Sequence, residues 1–237
     1  MAWLRKAILG AVVVASGSAS AADEAQAPTA AQEAAPSPDD ASAEAEPIPE
    51  ATAAQRARVH AGDSVLVTHA LNAPMLGMKS EWQIRTSVTA VQEHTCTVVT
   101  ELVKGEPPAG LLPDRRFESQ VPIVAVLGDE TDLAPGQSRA EEAADEEGTV
   151  LLKTTITREP DETLDVNGEK LTCIVVKTVQ VISGQGTSES REWRCPESIP
   201  IDGGVKGETK KVFPLPTGGE DVMSFTQRLD EWTRGKE

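Results

Sequence analysis

The sequence contains few of the residues on which most enzyme active sites depend. Among its 237 residues there are three His, three Cys, three Phe, four Trp and no Tyr. It has no G-x-S-x-G, H-E-x-x-H or C-x-x-C motif and no P-loop, which excludes the enzyme classes that those motifs define. A catalytic histidine would have to be His60, His69 or His94. We therefore predict a protein that binds rather than catalyses and that carries no cofactor.

A metal site has little support in the sequence. His94 and Cys96 stand two positions apart on a predicted strand and so share a face, where His69 could join them. No second cluster of His or Cys lies near them, so we predict no metal. A pair of catalytic carboxylates has no better support. Glu192, Glu197 and Asp202 are the candidates, but nothing in their spacing places two of them across a cleft.

The sequence also lacks a hydrophobic run long enough to cross a membrane. Arg5 and Lys6 precede an apolar run from Ala7 to Ala15, and small residues follow up to Ala21. This order is typical of a cleavable secretory signal, and the run is shorter than the roughly 20 residues of a spanning helix. We predict a signal peptide at residues 1–21, an exported product that is periplasmic or extracellular, and no transmembrane segment after cleavage.

The net charge of −16 comes from two segments. Residues 23–55, rich in Ala and Pro, carry eight acidic and no basic residues, and residues 129–148 carry eight acidic and one basic residue. The first segment has too few apolar residues to form a core. We predict a disordered acidic tether at 22–58 and an acidic loop insertion at 129–148, with a short helix near 138–147. The remainder is nearly neutral, which argues against nucleic acid as a partner.

Alternation of apolar and polar residues predicts strands over most of residues 59–205. The stretch 62–71 alternates, 79–91 does so with Trp82 and Ile84 on one side, and 94–103 follows after a short turn. Asn167-Gly168 is typical of a type I′ hairpin turn. Residues 105–128 contain too many prolines for a central strand, except over 121–127. We predict about seven antiparallel strands in one mostly β domain spanning 59–237.

The C-terminal segment has the spacing of a helix. Val222, Phe225, Leu229 and Trp232 follow one another at i, i+3, i+7 and i+10, which would form one apolar helical face. Acidic residues precede this segment and basic residues follow it, as the helix dipole favours. We predict an amphipathic helix over 220–234 that packs on the sheet.

Three cysteines allow at most one disulfide within the chain. Cys173 and Cys195 lie on consecutive predicted strands and come close to opposite one another if the turn is centred near 184–186. Export makes a disulfide plausible. We predict Cys173–Cys195 with Cys96 unpaired and buried, and the alternatives are Cys96 with Cys173 or with Cys195.

The segments LDVNGEKLTCIVVKT and REWRCPESIPIDGGVKGE resemble a recurring tail of exported bacterial proteins of unknown function, whose sheet is like that of the outer-membrane lipoprotein carriers. The resemblance covers about residues 150–210. It implies a curved, half-barrel-like antiparallel sheet with a helix in its concavity, and it brings no catalytic residues. This chain differs in its acidic insertion and in having no cysteine near the cleavage point.

Together these observations predict a non-enzymatic exported protein that binds an apolar small molecule or lipid in a half-barrel groove. A cell-envelope interaction or scaffold module, with an envelope protein as its partner, is the first alternative. A hydrolase whose site assembles from distant residues is the second. The candidate groove residues are large and apolar in a chain with few aromatics, namely Trp82, Trp193, Phe225, Leu229 and Trp232.

Overall fold

The computed structural model describes residues 50–128, 132–145, 147–215 and 217–236. The predicted signal peptide, and the predicted tether up to residue 49, lie outside the described residues. Two short helices, a 3-10 turn and ten strands follow in chain order: α1 (Ala53–Arg56), β1 (Ser64–Ala73), the 3-10 helix (Pro74–Leu76), β2 (Met78–Val91), β3 (Thr95–Gly105), β4 (Arg116–Pro122), α2 (Ile123–Leu127), β5 (Ser138–Ala144), β6 (Val150–Val166), β7 (Glu169–Ile182), β8 (Gly186–Arg194), β9 (Gly204–Pro214) and β10 (Glu220–Thr233).

All ten strands belong to one open antiparallel sheet with the order β4-β3-β2-β1-β10-β9-β8-β7-β6-β5. Two meanders, β1 to β4 and β5 to β10, join where β1 pairs with β10 in the interior of the sheet. Strands β4 and β5 form the two edges. The predicted mostly β, antiparallel fold is confirmed, whereas the prediction of about seven strands was too low.

The hairpins follow from local sequence. Asn167 and Gly168 have φ of 55° and 86°, the left-handed conformations that a type I′ turn requires. The side chain of Asn167 also donates a 2.6 Å hydrogen bond to the carbonyl of Asp230, so the tip of the β6–β7 hairpin reaches β10. In the next hairpin Ile174 pairs with Arg194, which places Cys173 beside Cys195. Their disulfide is present, as predicted.

One apolar cluster, the main core, holds the sheet, α2 and the connection after β8 together. Val65, Val67 and Leu229 supply its β1–β10 part. Ile123, Val126 and Leu127 of α2 are buried in it, and so are Ile199 and Ile201 of residues 195–203, called the corner below. The connection from β4 to β5 therefore contributes a helical turn to the core rather than running over the surface.

The predicted C-terminal helix is wrong, because residues 220–233 form β10. The two-residue period of a strand places on one face the side chains of Met223, Phe225 and Leu229. The three-residue step from Leu229 to Trp232 arises from a β-bulge, since Leu66 pairs with Glu231 while Val67 pairs with Leu229. The extra residue of the bulge shifts the alternation of inward and outward side chains by one position. The resulting spacing of apolar residues resembles that of a helix.

Two segment predictions also need correction. Residues 138–144 form the edge strand β5 and not a helix, because they pair with residues 150–157 of β6. Their Ala and Glu residues favour helix, yet pairing overrides that preference. The predicted tether boundary at 58 lies too far along the chain, since Ala51 is 5% exposed and packs in the main core. Thr52 starts α1 with a capping box.

Candidate functional site

Three rings from three strands meet in the second apolar cluster of the sheet. The His69 ring stacks on Trp82 with centroids 5.5 Å apart and on Phe225 at 5.7 Å. The Trp82 and Phe225 rings are 6.1 Å apart. His69 and Trp82 are each 2% exposed. We call these rings, with the apolar side chains around them, the ring site.

Strand register explains why these rings meet. His69 pairs with Trp82 across β1 and β2 and with Gln227 across β1 and β10. Phe225 lies two residues before Gln227, and residues two apart in a strand share a face. The alternation that predicted the strands therefore also predicts that Trp82 and Phe225 come together once β10 is recognised as a strand.

Apolar side chains surround the rings, and these side chains range from buried to half-buried. Leu71, Ala73, Ile84 and Met223 are buried beside Trp82. The half-buried members packed against them are Met78, Leu102, Leu111, Leu112, Phe213 and Phe225. The 3-10 helix after β1 contacts β10 and carries Met75 and Leu76, each 61% exposed. The ring site thus has a buried floor and half-buried apolar sides, and the exposed Met75 and Leu76 lie on an element that contacts β10.

Two polar groups lie at this apolar surface. The indole nitrogen of Trp82 is buried and has no hydrogen-bond partner among the described residues. Lys211 is 5% exposed and pairs directly with the buried Met223 across β9 and β10. Its ammonium lies 4.8 Å from the centre of the Phe213 ring. Burial lowers the pKa of Lys211 below its ordinary value, because desolvation disfavours the ammonium.

Trp193, a predicted groove residue, lies elsewhere. Its ring is covered by the guanidinium of Arg191 at 4.6 Å and the ammonium of Lys206 at 4.4 Å. Its indole N–H donates a 2.7 Å hydrogen bond to Glu162. This hydrogen bond and the Arg191 charge hold the pKa of Glu162 below its usual range. Trp193 is 2% exposed and belongs to the main core, with these polar groups around its ring, and it is not part of the ring site.

Leu229 and Trp232, also predicted groove residues, pack with the main core. The cavity beside Leu229 has a volume of about 10 Å³ and is lined in part by Val65, Val67 and Ile201. Such a volume holds one water molecule at most. The five predicted groove residues thus divide between the ring site, which contains Trp82 and Phe225, and the main core, which contains or contacts Trp193, Leu229 and Trp232.

The corner at 195–203 closes the main core. Arg194 donates to the carbonyls of Asp202 at 3.0 Å and Leu127 at 3.2 Å. Ile201, Asp202 and Gly203 have φ of 56°, 69° and 69°, and a β-branched residue in this region is strained. The strained turn is buried and joined to α2, so it serves the fold.

The described residues contain no group of three or more potential metal ligands. Cys96 is buried and unpaired, as predicted, and burial raises the pKa of its thiol from 9.0 to about 11. A thiol with such a pKa is a poor nucleophile. None of the helices in the described ranges has both the length and the apolar character to cross a bilayer.

Sequence reasoning did not select His69 or Lys211 as ring-site residues. His69 sits at an inward position of a strongly alternating strand, which was a usable signal. Lys211 lies in the charged stretch GETKKVF, where nothing distinguishes the buried lysine from Lys210.

No family model matches the sequence, and no curated protein matches it. Several solved structures are similar in part, among them the following three. A protein described as exported with a YmcC-like fold, from Bacteroides fragilis, aligns with a TM-score of 0.38 at 9% identity over 74% of this chain and 97% of that chain. The hypothetical lipoprotein YmcC from Escherichia coli aligns with a TM-score of 0.31 at 11% identity, over 71% of this chain and 85% of that chain. A domain described as an outer membrane lipoprotein-sorting protein, from Vibrio parahaemolyticus, aligns with a TM-score of 0.24 at 11% identity, over 78% of this chain and 91% of that chain.

Proposed function

We propose that this is an exported, non-enzymatic protein of the cell envelope that binds the apolar chain of a lipid-like molecule at the ring site. The observation that carries the proposal is the apolar cluster that joins the buried Trp82 ring to the half-buried Phe225, Met78 and Phe213. Exposed apolar surface backed by buried aromatic rings is typical of binding sites.

The loop between β3 and β4 would act as the cover of this site. Leu111 and Leu112 of this loop pack half-buried against the cluster. Displacing them would open the Phe225 and Trp82 rings to a ligand while the strands that carry the rings stay paired. An apolar chain would then replace the two leucines in contact with the rings.

Saturable binding of a fluorescent fatty acid tests the proposal. Phe225→Ala is expected to weaken binding roughly tenfold or more, because a buried Phe contributes roughly 1.5 to 3 kcal/mol. Phe117→Ala is the matched control, since Phe117 is also half-buried but lies on the edge strand β4 outside the ring site. Circular dichroism would verify that both variants fold. If the wild-type protein binds no apolar probe saturably, the proposal is wrong.

The interaction-module alternative has one specific observation in its favour. All seven residues of the edge strand β5 are exposed, and Val150, Leu151 and Val181 nearby are 43%, 48% and 48% exposed. An exposed edge strand next to apolar residues can pair with a strand of another protein. Loss of a co-purifying envelope protein after Val181→Lys, with fatty-acid binding unchanged, would favour this function.

A further inference from the structure

Lys211 differs from the other sheet lysines in its burial and its partners. Lys177 lies 2.9 Å from Glu189, Lys206 lies 2.7 Å from Glu208, and Lys153 lies 2.9 Å from Glu142. Each of these lysines is at least one-third exposed. Lys211 is 5% exposed, and no carboxylate of the described residues forms an ion pair with it.

A largely buried lysine without a counter-charge is costly, because desolvation disfavours its charged form. The Phe213 ring at 4.8 Å provides one compensating contact, a cation–π interaction. The residues paired with Lys211 on either side are Met223 and Ser188, both uncharged and both buried. The folded chain thus holds a cation in surroundings that supply no anion, as the lowering of its pKa by desolvation also indicates.

The position of Lys211 relates the cation to the ring site. Met223, its partner across β10, belongs to the apolar cluster that contains Trp82. Phe225 shares the face of Met223, because the two residues are two apart in β10. Phe213 belongs to the same cluster. A molecule lying on the rings would therefore have Lys211 beside it.

We propose that Lys211 binds the anionic head group, a carboxylate or a phosphate, of an amphiphile whose apolar chain occupies the ring site. This inference rests on the proposed function. The head group supplies the missing counter-charge, and a charge-assisted hydrogen bond in an apolar setting gives selectivity against neutral lipids with the same chain.

Equilibrium dialysis with oleate, 1-oleoyl lysophosphatidate and monoolein below their critical micelle concentrations tests the inference. The wild-type protein is expected to bind at least one anionic lipid roughly ten to a hundred times more tightly than monoolein, because this is the contribution of one hydrogen bond to a charged group. Lys211→Met should abolish this preference and leave monoolein binding unchanged. Lys210→Met removes the same charge from an adjacent exposed position and should change nothing.

The outcomes separate the two proposals. Equal binding of all three lipids, or a preference that survives Lys211→Met, overturns the role of Lys211 and leaves apolar-chain binding intact. Absence of binding by all three lipids overturns both. The ratio of oleate to lysophosphatidate affinity identifies the head group. Lys211→Met is expected not to lower the melting temperature, because methionine fills a similar volume without a buried charge.

Discussion

Arg194 and Asp202 form an ion pair inside the corner, with 3.4 Å between the guanidinium Nε and the carboxylate Oδ1. Their side chains are only 9% and 4% exposed. The same guanidinium donates to the carbonyl of Leu127 at the end of α2. This one side chain therefore joins β8, the corner and the helix that fills the main core.

Replacing Arg194 with Met is expected to lower the free energy of unfolding by about 3 to 5 kcal/mol, because it removes the guanidinium that pairs with a buried carboxylate. Combining Arg194→Met with Asp202→Asn should recover part of the loss, since Asn tolerates the left-handed backbone there. Urea unfolding measures both. Arg85→Met, which breaks an exposed pair with Glu231, should cost less than about 1 kcal/mol. Equal losses at Arg85 and Arg194 would contradict the assignment.

Removing the Cys173–Cys195 disulfide is expected to lower the free energy of unfolding by roughly 3 kcal/mol, because the bond closes a loop of about 20 residues in the unfolded chain. Serine at both positions and chemical reduction of the wild type should give similar losses. Peptide mapping without reductant checks the linkage. A bond to Cys96 would show that the pairing is different from the one described.

The buried Cys96 thiol should make the protein less stable at alkaline pH. The unfolded chain loses this proton near pH 9.0, whereas the folded protein keeps it to about pH 11. The unfolded state therefore binds fewer protons between these values, so the free energy of unfolding falls as the pH rises, by roughly 1.4 kcal/mol per unit of pKa difference.

Cys96→Ala should remove this component of the pH dependence. The difference between the wild type and this variant isolates the thiol, because Lys211, whose lowered pKa acts in the opposite direction, is common to both. Identical slopes of unfolding free energy against pH, from 8.5 to 11, would contradict the prediction. Iodoacetamide should also fail to label Cys96 until the chain unfolds.

The different burial of two apolar residues of β10 distinguishes the observed strand from the helix that the sequence predicted. Leu229 is 4% exposed and Val222 is 38% exposed, although a helix would place them on one face. Leu229→Ala is expected to cost about 2 to 5 kcal/mol, and Val222→Ala less than about 1 kcal/mol. Thermal unfolding and binding of a dye to exposed apolar surface would measure the difference. Comparable losses for the two variants would favour the helix.

The strands that alternate strongly could be predicted from the sequence. Over residues 67–73 of β1, 82–88 of β2 and 171–175 of β7 the buried residues recur at every second position, so local pattern and tertiary packing agree there. The Asn167-Gly168 turn and the Cys173–Cys195 pairing followed from the same local rules. In each of these cases the information lies within about 25 residues of sequence.

The features that were missed depend on strand pairing and register that composition alone does not show. Residues 138–144 pair with residues 150–157, which are near in sequence, but their helix-favouring composition misled the prediction. The bulge at residue 230 depends on the register with β1. At the ring site, the alternation identified Trp82, but the burial of Lys211 depends on Met223 and Ser188 in two neighbouring strands.

The pairing of β1 with β10 also constrains the order in which the domain can assemble. Val67 pairs with Leu229, which is translated roughly ten seconds or more later at typical rates of synthesis. Until then β1 has an unpaired edge, and hairpins such as β2–β3 and β7–β8 can form only as separate pieces. Docking of β10 joins these pieces by a contact between residues far apart in the chain, the kind of step that slows folding. Folding cooperativity of the whole domain therefore depends on a single strand near the C-terminal end of the described residues.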